Sequence, residues 1–413
     1  MIVVVTTKTV DPRSGLQSTV IRLLRLATHK TVLCQIVGGL SAISLLVLLT
    51  RLLPVGDYAQ YIVATAIWAI ANAALGVGVG LRISHDAANG AGTFSFTSRE
   101  LVRLTIGMLI CGVLFLDVSG DPIRSMCVAA TLLSFVACEA AISHEVGGRR
   151  FGSFFIIFSL RSILPVLLIG LFACFHEPTF DAAVVSILVG NMAGMCVVAT
   201  KFRWKQAVGS SVSSGPVSAI SLGVWLLASA DKIILERTSD LVLLGSYALV
   251  YGLLDRVFRA LQNAYTAKHV GEAFSGSVKK SSIGLGAASL VLALVLAPIS
   301  VFLCRIISGG RYEPSIIMST IVSLSLAIMF ISAPYYLSML ALKSYSVPTV
   351  VIYTIAAVNV VGNVILTPNF GTMASAILTF ASYMAWLVFL FAWFFVHSSK
   401  RINSVPSERV FVE

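Results

Sequence analysis

The chain has 413 residues, of which 57% are hydrophobic and only 11% charged, with a formal net charge of +11 and a mean hydropathy of +0.94. A soluble protein of this length cannot hide that much apolar surface from water, whereas a bilayer accepts it. That balance excludes a soluble globular domain, and it sets the positive charge against membrane topology rather than nucleic acid.

The first residues, Met1–Thr7, are apolar but too short for a signal-peptide core, and no small-residue cleavage site follows. Val20–Leu26 places Arg22 and Arg25 between Ile21, Leu23 and Leu24. That pattern suits a helix lying along the inner surface or an ordinary positive flank to the first span. Twelve apolar stretches follow, at 32–50, 59–81, 102–118, 124–143, 153–175, 182–200, 217–237, 241–264, 281–304, 315–337, 347–367 and 372–397. Each is long enough to cross about 30 Å of hydrocarbon at about 1.5 Å per residue. Alternation with period two is absent, and in lipid the backbone must satisfy itself within the segment, so the spans are helices. The expected fold is an all-α, polytopic membrane protein. It divides into a cytoplasmic segment 1–31, a first six-helix bundle 32–200, a linker 201–216, a second bundle 217–397 and a tail 398–413, with a cavity between the bundles.

Twenty of the 29 Lys and Arg residues fall on the side that holds both termini. Five (Arg51, Arg124, Arg237, Arg305 and Arg311) fall on the other, and four (Arg161, Lys232, Arg256 and Arg259) lie inside spans. The bias places both termini in the cytoplasm. It also accounts for the net charge through topology and contact with anionic lipid, so no nucleic-acid partner is expected.

Two halves of six spans carry traces of a repeat. Gly56-Asp57-Tyr58-Ala59 is matched by Gly245-Ser246-Tyr247-Ala248, 189 positions on, and Pro178-Thr179-Phe180 by Pro368-Asn369-Phe370, 190 positions on. Ile187-Leu188 meets Ile377-Leu378 at the same second offset. Halves with an even number of spans enter the membrane the same way round, and transporters place substrate at such an interface. The serine-rich stretch Trp204–Pro216 is the natural linker.

Ionisable groups at membrane depth are costly and usually face a cavity or a partner. Seven are expected there: Glu139, Arg161, Asp231, Lys232, Asp255, Arg256 and Arg259. Arg161 sits about 15 Å into its span, with Pro165 four residues later, where a kink is expected. Its guanidinium suits a phosphate, and the competing reading is a structural pair with Glu139. Asp255 and Arg259 are spaced i,i+4 and should pair, leaving Arg256 the freer charge. Arg256, Arg259 and Lys232 join Arg161 as candidates for binding substrate in the cavity, with contact to the inner headgroups the competing reading for Arg259. Asp231 is a candidate for protonatable ion coupling or for a structural pairing with another span. Its neighbour Lys232 points about 100° away around the helix and is not expected to pair with it directly.

Gly76-Val77-Gly78-Val79-Gly80 reads as close packing or a hinge, not a phosphate loop, since no strand precedes it. Pro298 and Pro334 should kink spans 9 and 10, where a gating role competes with a merely tolerated proline. The five tryptophans, at 68, 204, 225, 386 and 393, read as anchors or packing. The seven cysteines lack a CxxC pair and read as small apolar filling, and the six histidines are scattered. Neither metal nor cofactor is indicated.

Three segments resemble a known pattern. Lys343-Ser344-Tyr345-Ser346-Val347-Pro348 is followed by Asn359, Asn363, Leu366, Pro368-Asn369-Phe370-Gly371, Ala374, Ala376, Thr379 and Ser382-Tyr383. Thr50-Arg51-Leu52-Leu53-Pro54 leads into Gly56-Asp57-Tyr58 and Tyr61, and Ala230-Asp231-Lys232 leads into Gly245 and Tyr247-Ala248. These resemble bacterial polysaccharide flippases of the multidrug/oligosaccharidyl-lipid/polysaccharide exporter superfamily. Spans 3–6 and 9–10 share only hydropathy with that family. The resemblance implies a cationic cavity that opens alternately to each side of the inner membrane. Its cargo would be a polyprenyl-pyrophosphate-linked glycan, with transport coupled to H+ or Na+ and with a polysaccharide polymerase and glycosyltransferases as partners.

Two other classes compete. A multidrug-type antiporter for organic cations would want carboxylates and aromatics in the cavity. Four embedded cations against three acids favour an anionic cargo. A membrane enzyme would need a paired-acid or His-Asp constellation beside a sizeable loop, and the sequence offers neither.

Overall fold

A computed structural model describes residues 30–203, 215–275, 282–342 and 344–402. The stretch Val20–Leu26 and linker residues 204–214 lie outside them. The helices, in chain order, are α1 Lys30–Leu52, α2 Val55–Ala88, α3 Ser98–Ser119, α4 Pro122–Gly147, α5 Phe151–Phe175 and α6 Phe180–Cys196. After these come α7 Gly215–Thr238, α8 Leu241–Ser275, α9 Ser282–Ser308, α10 Ile316–Ile331, α11 Ala333–Leu342 and α12 Ser346–Ile402. Among the described residues, nine helices are long and apolar enough to cross a bilayer, and two shorter apolar ones, Ile36–Leu52 and Phe180–Cys196, join them.

The count reaches twelve because α12 is two helices. Gly371 breaks it at φ 56°, ψ −145°, a conformation that only glycine adopts freely. Asn359 Nδ2 donates to Ser382 Oγ at 2.9 Å, and Ser375 Oγ to Asn363 Oδ1 at 2.6 Å. In a straight helix residues 359 and 382 would lie about 34 Å apart, so the arms 346–370 and 372–402 fold back on each other. Span 10 differs in the opposite sense. It is cut between Ile331 and Ala333, just ahead of Pro334, whose ring cannot sit beneath the carbonyl four residues earlier. At Pro165 and Pro298 the helices continue without a break. Span 6 ends at Cys196, short of the expected residue 200, and a 3-10 turn, Ala199–Lys201, follows.

Helix starts follow local capping chemistry. Thr97 and Glu100 form a reciprocal capping box on α3, Asp121 caps α4 with Pro122 in its first turn, and Thr179 and Ser315 cap α6 and α10. Asp57 gives the Gly-Asp-Tyr segment a structural role, because its Oδ2 accepts from Phe180 N, at the start of α6, at 2.9 Å.

Helices α1–α6 pack into one bundle and α7–α12 into another, and the two meet mainly along α2 and α7. One apolar core fills the first bundle. The other fills the second but also takes in Leu46, Leu49, Leu53, Tyr58 and Ile62 from α1 and α2. The bundles are therefore fused at the end where α1 passes into α2, the distal end, opposite Lys30, the start of α1. Outward faces are apolar: Leu109 and Val113 are each 65% exposed. Water would penalise that surface and acyl chains do not, so the chain is a multi-pass membrane protein.

Candidate functional site: a basic cavity between two bundles

Helices α1, α2, α7 and α8 enclose a cavity of about 220 Å³. On α8, Ala248, Tyr251, Gly252, Asp255, Arg256 and Arg259 all line it. Their spacing of three and four places them on one helix face, so one stripe delivers three charges to the same space. Tyr58 and Tyr61 of α2 face them, with Lys232 of α7 alongside.

The three cations are held differently. Arg259 Nε donates to Asp255 Oδ2 at 2.6 Å, and its guanidinium lies 4.0 Å from the centre of the Trp225 ring. Lys232 Nζ donates to Ala228 O at 2.6 Å, lies 3.3 Å from Asp231 Oδ1 and sits 3.9 Å over the Tyr251 ring. Arg256 Nη1 donates to a main-chain oxygen, Ala42 O of α1, at 3.1 Å. Among the described residues no acid forms an ion pair with Arg256, so its charge is the one left uncompensated in the cavity.

The contact between Lys232 and Asp231 corrects the expectation that adjacent residues would not pair. The Cα–Cβ bonds do diverge, but the four-carbon stem curls back toward the preceding turn and brings Nζ to both oxygens. Asp231 itself is fully buried behind the cavity wall. It accepts from Lys232 N at 2.8 Å and from the Tyr247 hydroxyl. Tyr251 and Tyr383 hydroxyls, 2.9 Å apart, carry the polar contacts on to α12, where Asn359, Asn363, Ser375 and Ser382 bond one another.

Arg161 does not join this group. Its Nη1 donates to Glu139 Oε1 at 2.5 Å, and its guanidinium lies 4.2 Å from the Phe135 ring centre. All three residues belong to the first bundle, and Arg161 and Glu139 are absent from the lining of the central cavity. Helix α6 approaches α5 closely at Pro165. A Cβ on Gly190 would stand 2.9 Å from the proline ring and 3.2 Å from Arg161 O.

The distal end is tied shut by residues that the sequence marks only as loop charges. Arg51 donates to Ile307 O at 2.9 Å and Ile306 O at 2.5 Å, so the end of α1 binds the end of α9. In return Arg311 Nη1 donates to Leu53 O at 2.6 Å and Thr50 O at 3.3 Å. Arg237 pairs with Asp117 across the same seam. Tyr58 and Tyr312 rings lie 5.2 Å apart beneath it. A Cβ on Gly245 would stand 2.3 Å from the Tyr312 ring. Carbonyls at a helix C-terminus carry partial negative charge, which makes them good guanidinium partners. At the opposite end of the first bundle, fully buried Glu145 collects Lys201 at 3.0 Å, His144 at 2.9 Å and Arg150 at 3.5 Å.

The chain matches no protein-family model and no curated protein. Solved structures do resemble it. A lipid II flippase MurJ in an inward closed conformation aligns with a TM-score of 0.57 at 13% identity, over 92% of this chain and 90% of that one. The two share a fold. A MATE structure in a bent conformation aligns at 0.53 with 14% identity, over 94% of this chain and 97% of that one. An inward-facing MATE multidrug transporter aligns at 0.52 with 13% identity, over 89% and 96%. These neighbours are transporters and a flippase rather than enzymes. Their similarity spans nearly the whole chain.

Proposed function

We propose that this protein is a flippase that carries polyprenyl-pyrophosphate-linked oligosaccharide units across the bacterial inner membrane for surface polysaccharide synthesis. The observation that carries this reading is Arg256, a guanidinium that no acid among the described residues pairs with directly, in a cavity between bundles inside the bilayer. A pyrophosphate cannot cross hydrocarbon with its charge exposed, and a planar fork of donors matches phosphate oxygens. Arg259 and Lys232 add positive potential while staying tethered to Asp255 and Asp231. Arg161, paired with Glu139, serves as a structural strut or meets the glycan only after the bundles part.

A cavity of about 220 Å³ is smaller than ordinary ligand pockets of about 300–1,000 Å³. The glycan therefore enters when the bundles separate at the end opposite the Arg51–Arg311 seam. In this reading the termini are cytoplasmic, the seam is periplasmic, and 32–200 and 217–397 rock as two bodies. Asp231 couples the motion to H+ or Na+, and the polymerase and glycosyltransferases of the same glycan are the functional partners.

A second reading, export of small organic molecules in exchange for ions, draws on the aromatic lining of Tyr58, Tyr61, Trp225 and Tyr251 and on Asp255. Reconstitution decides between them. Arg256→Gln should abolish translocation of a pyrophosphate-linked lipid while leaving the protein folded and in the membrane, and Arg256→Lys should restore only part of it. Full activity of Arg256→Gln, or drug export lost through Asp255→Asn, would favour the second reading.

A further inference from the structure

On the far side of the α2–α7 contact lies a second space, about 550 Å³ in volume. Its α2 lining includes Ile70 and Ala74, on the helix face opposite Tyr61 and Thr65 by the 3.6-residue period. From α3 it takes Arg103, Ile106, Gly107, Ile110, Cys111 and Leu114, a stripe at spacings of three and four. Helix α7 and the first arm of α12 close the other wall, with Ala219, Leu222 and Tyr353. Apart from Arg103, every lining side chain is uncharged, and most are aliphatic.

The crevice opens sideways. Ile106, Ile110 and Leu114 remain 50%, 55% and 45% exposed, so its mouth faces the bilayer rather than either aqueous side. Arg103 and Leu114 lie about 16 Å apart along the helix, close to the depth of one leaflet's hydrocarbon. Arg103 stands at the end nearer the chain termini. It makes no hydrogen bond or ion pair among the described residues. The acid one turn before it, Glu100, is already taken by Arg82 at 2.7 Å and 2.8 Å.

We propose that this crevice binds one chain of an anionic phospholipid drawn from the leaflet on the terminal side, with the phosphate of its headgroup against Arg103. An apolar space of this kind does not hold water, and a hydrocarbon chain in the adjoining leaflet fills it without desolvation cost. A guanidinium at headgroup depth selects phosphate and favours a lipid with net negative charge. The bound lipid wedges between α3 and α7, that is, between the two bundles. The occupant is a bilayer lipid and not the chain of a transported one. A head held at Arg256 lies on the other face of α2, and the α2–α7 contact stands between. The site is thus independent of the transport reading.

The test uses the full chain in vesicles of equal parts phosphatidylcholine and phosphatidylglycerol. A photo-crosslinking phenylalanine analogue replaces Ile110 in the crevice or Leu109 on the neighbouring lipid-facing surface. Adducts at 110 should favour phosphatidylglycerol by about fivefold, the ratio one arginine gives beside an anionic lipid. Adducts at 109 should mirror the bulk mixture. Arg103→Gln, an exposed change that leaves the fold intact, should bring the ratio at 110 to that of the bulk. Ala219→Phe should lower the adduct yield at 110, with an unchanged melting profile as its folding control. Equal ratios at 110 and 109, or a ratio at 110 that survives Arg103→Gln, would overturn the proposal. So would polyprenyl adducts at 110 in protein extracted from cells. Loss of transport through Arg256→Gln leaves all of these readouts in place, so the two readings fail separately.

Discussion

Lys232 and Arg256 share a cavity, but one is tethered to an acid and the other to a peptide oxygen. That difference was half legible in the chain. The i,i+4 spacing of Asp255 and Arg259 shows that they pair, and by elimination that Arg256 is spare. The curl of Lys232 onto Asp231 is a property of a long stem in a crowded site, which spacing does not encode. Asp231 depends on the Tyr247 hydroxyl and on Lys232. Tyr247→Phe should therefore lower stability by about 1–3 kcal/mol, the cost of leaving a buried acceptor short of a donor, measured by denaturant unfolding in detergent. An unchanged midpoint would mean that water replaces the hydroxyl. Arg161 and Glu139 form the second residue-scale test. In a double-mutant cycle, Arg161→Met and Glu139→Gln should couple by about 1–3 kcal/mol, each single change costing more than its share of the pair. Additive effects would show that the two groups act separately and would return Arg161 to the cargo path.

Helices were the most readable level, because a bilayer forces every span to be long, apolar and internally bonded. The terminal details were less so. Pro368-Asn369-Phe370-Gly371 reads as an ordinary connection, yet the reversal is accomplished at Gly371 alone, with helix on both sides. Pro334 sits just after a break, whereas Pro165 and Pro298 do not interrupt their helices. At Pro165 the neighbouring Gly190 lets α6 press close against the ring, a neighbour no local window contains. Gly371→Ala should cost about 1–3 kcal/mol, since a Cβ strains that backbone conformation. Thermal unfolding of the purified variant gives the measurement, and a melting point equal to wild type would mean that the hairpin relaxes elsewhere.

At the scale of the whole molecule, the apolar spans follow from hydropathy, whereas the way the bundles are joined does not. Arg51 and Arg311 each reach main-chain oxygens more than 250 residues away in sequence, and a carbonyl partner leaves no signature in side-chain identity. Replacing both by alanine should lengthen the distances between spin labels at positions 117 and 237 and populate a state open at the distal end. An unchanged distribution would assign the closure to the shared apolar core alone. The chemistry of this seam has one more consequence. Peptide oxygens take up protons only in strong acid, and guanidinium groups release them only in strong base, so mild acidification at the distal end has no handle on these clasps. In the proposed transport cycle, the force that parts the halves on that side therefore arises deeper, where a cargo or a coupling ion changes the charge between them.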